Sequence, residues 1–365
     1  MMEIFLTVVT FILGFFAEKL LDYMTAAFSQ KISLKKAETK FDNFYTRPHK
    51  DIKITASGFP FFSPNMVNET LNKEATLLLA MPNEAGTASR PDFSSEDDVT
   101  DAFTTFISEN ALQETLEKLR VDTFEDFLKR ENGNYFNGKL LGIHHIDGLS
   151  RTTDYKEAPI LSVDFFKTDY FTHKIMEKLI ATMAVDQQKL LSDAPHLYSW
   201  SRTSFGVSVI LILPKQNEII LTKRSNRAAY SENKEWIYVS VTETLSETDY
   251  NEDTGNPDIL KCVLRGINEE LGLTQRQLKL DTLRFYDTFY ETHFHQDNIV
   301  ASIEVSENLT FSEIYSLLAK DKYMEVADIV TIPNNEKAIT TFIEQHKEEM
   351  RAQTIFSLES FVARK

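Results

Sequence analysis

The chain has 365 residues and 42% apolar content, enough for about two domains of about 150 residues with a core each, which excludes a fibre, a disulfide-built miniprotein and a wholly disordered chain. Acidic residues outnumber basic ones 55 to 39, for a formal charge of -16, so no basic field exists to coat a long nucleic acid. Cys262 is the single cysteine; it cannot form an internal disulfide or a multi-cysteine zinc site, and a reducing compartment suits the bulk of the chain.

Residues 4–17, IFLTVVTFILGFFA, carry no charge. At about 1.5 Å per residue they span roughly 21 Å, short of the roughly 30 Å hydrocarbon core. Met1 and Met2, with Leu20, Leu21, Tyr23 and Met24, extend that reach if Lys19 snorkels. The expectation is a single-pass membrane anchor helix over residues 1–25 and a stalk or linker over 26–45. Lys31, Lys35, Lys36 and Lys40 then place the bulk of the chain in the cytoplasm. The competing reading is an apolar helix docked on the body of the protein or in an oligomer interface.

Residues 46–195 read as a mixed α/β domain of unknown role. A strand is expected at 76–81, stopped by Pro82, and a loop at 84–96. Apolar residues recur at three and four through 97–130, as in Leu112, Leu116 and Leu119, which predicts two or three short amphipathic helices. Strands follow at 139–146 and 160–166, then a helix at 169–186 with Phe171, Ile175, Met176 and Leu179 on one side. His144, His145 and Asp147 form the one cluster here that could serve a metal or acid-base role, but they lack a visible third ligand, and ordinary strand-end hydrogen bonding is the plainer reading. His293 and His295 carry the same two readings.

From residue 204 the pattern is regular. FGVSVILILP predicts a buried strand, 218–223 a second across the turn 215–217, and 236–241 a third. Asp258 caps a helix with Leu260, Val263, Leu264, Ile267 and Leu271 on one side. Cys262 within it is a packed small residue, with no base paired to it. In the run 265–273, RGINEELGL, Arg265 and Glu269 are four apart and share a face, so they can form an ion pair. Glu270 offers a second acid, and Gly272 permits a sharp helix exit. Paired carboxylates suit a hard divalent cation and the oxygens of a diphosphate. Further on, a short helix is expected at 311–320, a strand at 326–332 and a helix from 338.

This run resembles the helix of the Nudix hydrolases. Their pattern is Gly, five residues, Glu, seven residues, then Arg-Glu-apolar-x-Glu-Glu-x-Gly-apolar. Arg265, Ile267, Glu269, Glu270, Gly272 and Leu273 fall on its positions, Glu247 falls on the upstream glutamate, and Glu243 is a second acid nearby. The resemblance covers about residues 200–350. It implies an α+β chain whose domain at 196–356 is a Nudix-like α/β/α sandwich with a mixed sheet, behind the smaller domain and the transmembrane helix. Three departures stand out: Gly266 replaces the first helix glutamate, Ser240 and Val241 replace a glycine pair, and seventeen residues separate Glu247 from Arg265.

The resemblance implies Mg²⁺, or Mn²⁺, held by Glu269, Glu270 and Glu243 against a nucleoside diphosphate linked to another group. Glu247 or Glu243 completes the shell or orients the attacking water, or a base comes instead from the later segment, at Asp287, Glu291 or Asp297. Lys223, Arg224 and Arg227 engage phosphate oxygens or form a solvated strand end. Trp236 stacks on a base or packs in the core, and Arg265 is a structural partner of the carboxylates. Two functions follow as expectations: a membrane-anchored hydrolase, or a degenerate domain that binds a nucleotide or partner without cleaving it. A homodimer is among the expected partners.

Overall fold

Successive side chains on a strand point to opposite faces, and the strand Phe205–Leu213 buries both, because one packs on a helix layer and the other on a second layer. The computed structural model describes residues 40, 43–56, 77–80, 109–129, 137–151, 157–193, 201–225, 236–251, 253–320 and 322–364. The chain divides into two compact units, 1–48 with 363–365, and 49–362. In the described part of the first unit, residues 43–46 are helical, and the Arg364 guanidinium lies 5.3 Å from the centre of the Tyr45 ring.

The second unit is a mixed α/β structure. Its elements in order are β1 (Ile52–Ala56), β2 (Leu77–Ala80), α1 (Glu109–Lys129), β3 (Lys139–Arg151), β4 (Glu157–Asp169), α2 (Tyr170–Ala181), α3 (Val185–Asp193), β5 (Phe205–Leu213) and β6 (Glu218–Arg224). There follow β7 (Ile237–Val239), β8 (Val241–Thr244), α4 (Ile259–Leu271), β9 (Leu278–Glu291), β10 (Gln296–Val305), α5 (Phe311–Ser316), α6 (Lys322–Glu325), β11 (Val326–Pro333), α7 (Glu336–His346) and α8 (Ala352–Arg364). The larger sheet has eight strands in the order β1-β9-β10-β5-β6-β11, with β7 on β6 and β8 on β5. Within it β10 runs parallel to β5. The smaller sheet runs β2-β4-β3.

Val207, Val209 and Leu211 of β5 face a core shared with Ile299, Ala301 and Ile303 of β10, Val263, Ile267 and Leu271 of α4, and Leu141, Ile143, Leu161 and Val163 of the β3–β4 pair. The opposite face is partly polar and lies under α8. There Gln353 Nε2 donates to Ser208 Oγ (2.8 Å) and Asn298 Oδ1 (2.9 Å), while Ser360 Oγ donates to Asp287 Oδ2 (2.6 Å).

Helix α4 starts where Asp258 accepts from the Leu260 and Lys261 amides (2.9 and 3.2 Å). It ends at Gly272, whose φ of 75° lies in the left-handed region. Gly266, halfway along, meets β8: a Cβ there would lie 2.8 Å from Glu243 Cβ and 3.0 Å from Val241 Cγ1. The absence of a side chain at 266 is what lets the helix approach the strand.

Several expectations change. The anchor at 1–25 lies outside the described residues, and among these no helix is long and apolar enough to cross a membrane. The longest described helix, α1, is rich in charge, so the fold class with a transmembrane helix, the membrane partner and the single-pass localisation with a cytoplasmic bulk are set aside. Over 109–129 one helix replaces several short ones, since no Gly or Pro interrupts it. The helix expected at 169–186 stops at Ala181 and a second runs from Val185, and the one expected at 311–320 stops at Ser316. The strand at 236–241 divides at Ser240, where the chain passes from β6 to β5 as its partner. The Ser240 hydroxyl accepts from the Leu211 amide (2.7 Å) and donates to the Ile220 carbonyl (2.5 Å), joining two strands that diverge there.

Candidate functional site

Strand alternation puts Glu243 of β8 on the face toward α4, next to Gly266. One helical turn later the same helix face presents Glu270. Its side chain is buried, with the Thr242 backbone N–H against its carboxylate. The third acid, Glu325, closes α6 and pairs with Arg224 at 3.2 Å. Glu325 and Glu243 are half-buried and Glu270 is buried, so the cluster opens to solvent at one side.

Three carboxylates at close quarters repel one another. Burial, then the charges of Glu325 and Glu243, pushes Glu270 well above the carboxylate range. Burial pushes Glu243 up to about 7, against the pull of Arg265 and the Thr244 amide. Among the described residues Glu270 has no ion pair.

Arg265 is the hub behind the cluster. Its Nη1 lies 3.0 Å from Glu243 Oε1 and 3.4 Å from Glu269 Oε2. Its Nε and Nη2 donate to the two oxygens of Asp249 at 2.9 and 2.7 Å, and Nη2 also donates to the Thr244 carbonyl at 2.9 Å. Arg265 thus ties Glu243, Glu269 and Asp249 together. Glu247 turns outward, 4.0 Å from Lys167 Nζ. The signal for Asp249 was local: Ser246 and Asp249 form a capping box around the 3-10 turn Glu247–Asp249 that turns Asp249 inward.

The other expected residues scatter. Glu269, one position from Glu270 and so about 100° round the helix, points to Arg265 and to Lys320 Nζ (2.9 Å) instead of Glu270. Glu291 is buried against Arg351, whose Nε donates to it at 2.8 Å. Asp297 accepts at both of its oxygens from Arg202 Nε and Nη2, and Asp287 accepts from Ser360. None of these three joins the cluster. Lys223 is half-buried on β6. Arg224 stacks 5.4 Å from the centre of the Tyr238 ring, and its buried Nε has no hydrogen-bond partner among the described residues. Arg227 lies outside the described residues. Trp236 is half-buried, its carbonyl accepting from the Arg224 amide (2.9 Å).

No histidine joins the site. His144 sits at a register shift in β3 and His145 is exposed. His293 is exposed on the turn after β9, and His295 Nδ1 bonds the Tyr290 hydroxyl at 2.8 Å. Cys262 is fully buried among core residues, and burial raises its thiol well above its ordinary value. A surface groove of about 370 Å³ on β11 and α7, lined by Pro333, Thr341 and Phe342, contains none of the carboxylates.

Among the described residues no group of three or more His, Cys, Asp or Glu side chains stands arranged to hold a metal ion. Two of the three clustered acids are turned to arginines. The donors that remain are carboxylate oxygens, the kind a hard cation takes, and the innermost, Glu270, makes no ion pair among the described residues although the charge of Arg224 acts on it.

Compared with family models and with curated proteins, the chain matches none. This overturns the reading of residues 200–350 as a Nudix-like domain, together with the sandwich and the dimer partner implied by it. The departures from that pattern have physical reasons of their own: Gly266 makes room for Glu243, and Ser240 bridges two diverging strands.

Proposed function

We propose that the cluster of Glu243, Glu270 and Glu325 takes up a divalent cation, Mg²⁺ by donor chemistry, and hydrolyses a phosphoanhydride, the class to which nucleoside diphosphates linked to another group belong. The supporting observation is Glu270: a buried acid facing two more acids, with no ion pair among the described residues. Such a group stays protonated or recruits a cation. Glu270 and Glu325 would hold the ion, which when bound offsets phosphoryl charge and lowers the pKa of water. Glu243, raised to about 7, can accept a proton from water near neutral pH. Arg224 stays paired with Glu325 and stacked on Tyr238 and supplies positive charge beside the cluster. Glu269 stays in its ion pairs and orients Arg265.

The test is turnover of the full chain with Mg²⁺ or Mn²⁺ against nucleotide sugars, dinucleotides and nucleoside triphosphates, followed by product chromatography. Glu270→Gln should lower turnover by about a hundredfold or more. Wild-type turnover in that variant rejects the reading. A second reading, ligand binding without cleavage, is favoured by the pairing of Glu243 with Arg265. It expects calorimetric binding of one of these compounds with no product formed.

A further inference from the structure

Strand β11 ends the larger sheet, so one of its edges has no strand beside it among the described residues. Which groups line that edge follows from the alternation of backbone direction along an antiparallel ladder. On β6 the Arg224 amide donates to the Trp236 carbonyl (2.9 Å) and the Ile220 carbonyl accepts from Ser240, so Ile220, Thr222 and Arg224 turn toward β7 and Ser240. Ile219, Leu221 and Lys223 therefore turn toward β11, where the register sets them opposite Ile332, Val330 and Asp328. The backbone groups of Ile329, Thr331 and Pro333 are left facing outward.

An open row of amides and carbonyls is a template for a further strand. Little of that row remains here. The Ile329 amide donates to Asp328 Oδ1 (2.9 Å), and the Tyr315 hydroxyl donates to the same oxygen (3.4 Å), holding the carboxylate over the edge. Pro333 has no N–H, and its carbonyl accepts from the Asn335 amide (2.9 Å). At the other end the register shifts between Val326 and Asp328. Among the described residues only Thr331 keeps both an outward amide and an outward carbonyl. Asp328 and Pro333 are exposed, so packing in a core does not explain either.

We propose that Asp328 and Pro333 close this edge to a second copy of the chain. Two β11 strands running antiparallel about Thr331 would make a self-complementary pairing and join two sheets into one. Each outward residue in such a ladder must give a donor and an acceptor, and with Asp328 and Pro333 in place one residue per chain can do so. The inference is independent of the cation reading above.

Amide hydrogen exchange by NMR and sedimentation velocity over a concentration series test it on the full chain, with wild type, Asp328→Ala, Asp328→Asn and the Asp328→Ala/Pro333→Ala double variant. In dilute solution the Ile329 amide should exchange about fivefold faster in Asp328→Ala than in wild type, as for the loss of one hydrogen bond. Asp328→Asn, which keeps an acceptor oxygen, should retain most of the protection. As concentration rises the double variant should form a larger species, beyond any association of the wild type, with the Thr331 amide newly protected. Should the double variant not fold by circular dichroism, Asp328→Ala is read in its place by both methods. Unchanged exchange at Ile329 in Asp328→Ala, or a double variant that sediments as wild type at every concentration, overturns the inference. Association without protection of Thr331 overturns it as well, because the contact then lies elsewhere.

Discussion

Gly266 decides how close α4 comes to β8. A methyl group there would press on Glu243 Cβ at 2.8 Å and on Val241 Cγ1 at 3.0 Å, one of them a buried core side chain. Gly266→Ala should therefore cost about 1–3 kcal/mol, the usual range for an overfilled contact, despite the higher helix propensity of alanine. Urea denaturation measures it, and a variant more stable than wild type would show that the helix gives way without strain. At this scale the sequence was partly legible. Arg265, four residues before Glu269, announced an ion pair that exists, whereas Glu270, expected to point its oxygens to the same region as Glu269, lies buried about 100° round the helix from it. Motif spacing pointed to Glu247, but whether a side chain turns inward after a strand depends on the turn it enters, and the capping box selects Asp249. Glu325 was not legible at all, because only the folded chain brings α6 beside α4.

Helix α4 is defined by its ends more than by its middle. Asp258 satisfies the first amides, and Gly272 reverses the chain in a left-handed conformation against the Leu318 carbonyl. Gly272→Ala combines a positive φ of 75° with a Cβ placed 2.4 Å from that carbonyl; a loss of about 1–2 kcal/mol from the conformation alone is a floor. Thermal denaturation is the check, and an unchanged midpoint contradicts the close-approach account. Elements with a single physical cause were readable: β5 from its continuous apolar run, α4 from its cap and apolar stripe. Elements shaped by partners were not. The break between β7 and β8 comes from a change of neighbouring strand at Ser240. The long strand β9 mixes Lys279, Asp281, Arg284 and Asp287 with apolar residues, and Asp287 is tolerable there because α8 supplies Ser360.

Across the whole molecule, one core joins the β3–β4 pair to the larger sheet, and buried titratable groups couple that body to pH. Burial, then the charge of Lys174, lowers His173 from 6.5 to about 3, and burial lowers His295 from 6.5 to about 4. Groups kept neutral in this way give full stability above pH 6.5 and lose it as pH falls through 6.5 toward 4 and 3, because the unfolded chain takes up the proton first. Glu243, raised from 4.5 to about 7, acts the other way: its cost grows as pH rises from 4.5 to 7, so it partly offsets the histidines in that window. Between pH 6.5 and 5 one such histidine accounts for about 2 kcal/mol. Urea denaturation at pH 6.5 and pH 5 should show a smaller loss in His173→Gln than in wild type, and equal losses would contradict the burial account. The nine-residue acidic run could be read without a structure, but a site assembled from β8, α4 and α6 could not, and the family drawn from that run did not survive comparison.

We propose that Glu270, buried beside other acids, receives a cation. Titration calorimetry of Mg²⁺ into the full chain at pH 7.5, wild type beside Glu270→Gln, tests it most directly. The account predicts a saturable heat in the wild type and an affinity at least about tenfold weaker in the variant. No saturable heat in the wild type, or the same affinity in both, would contradict it.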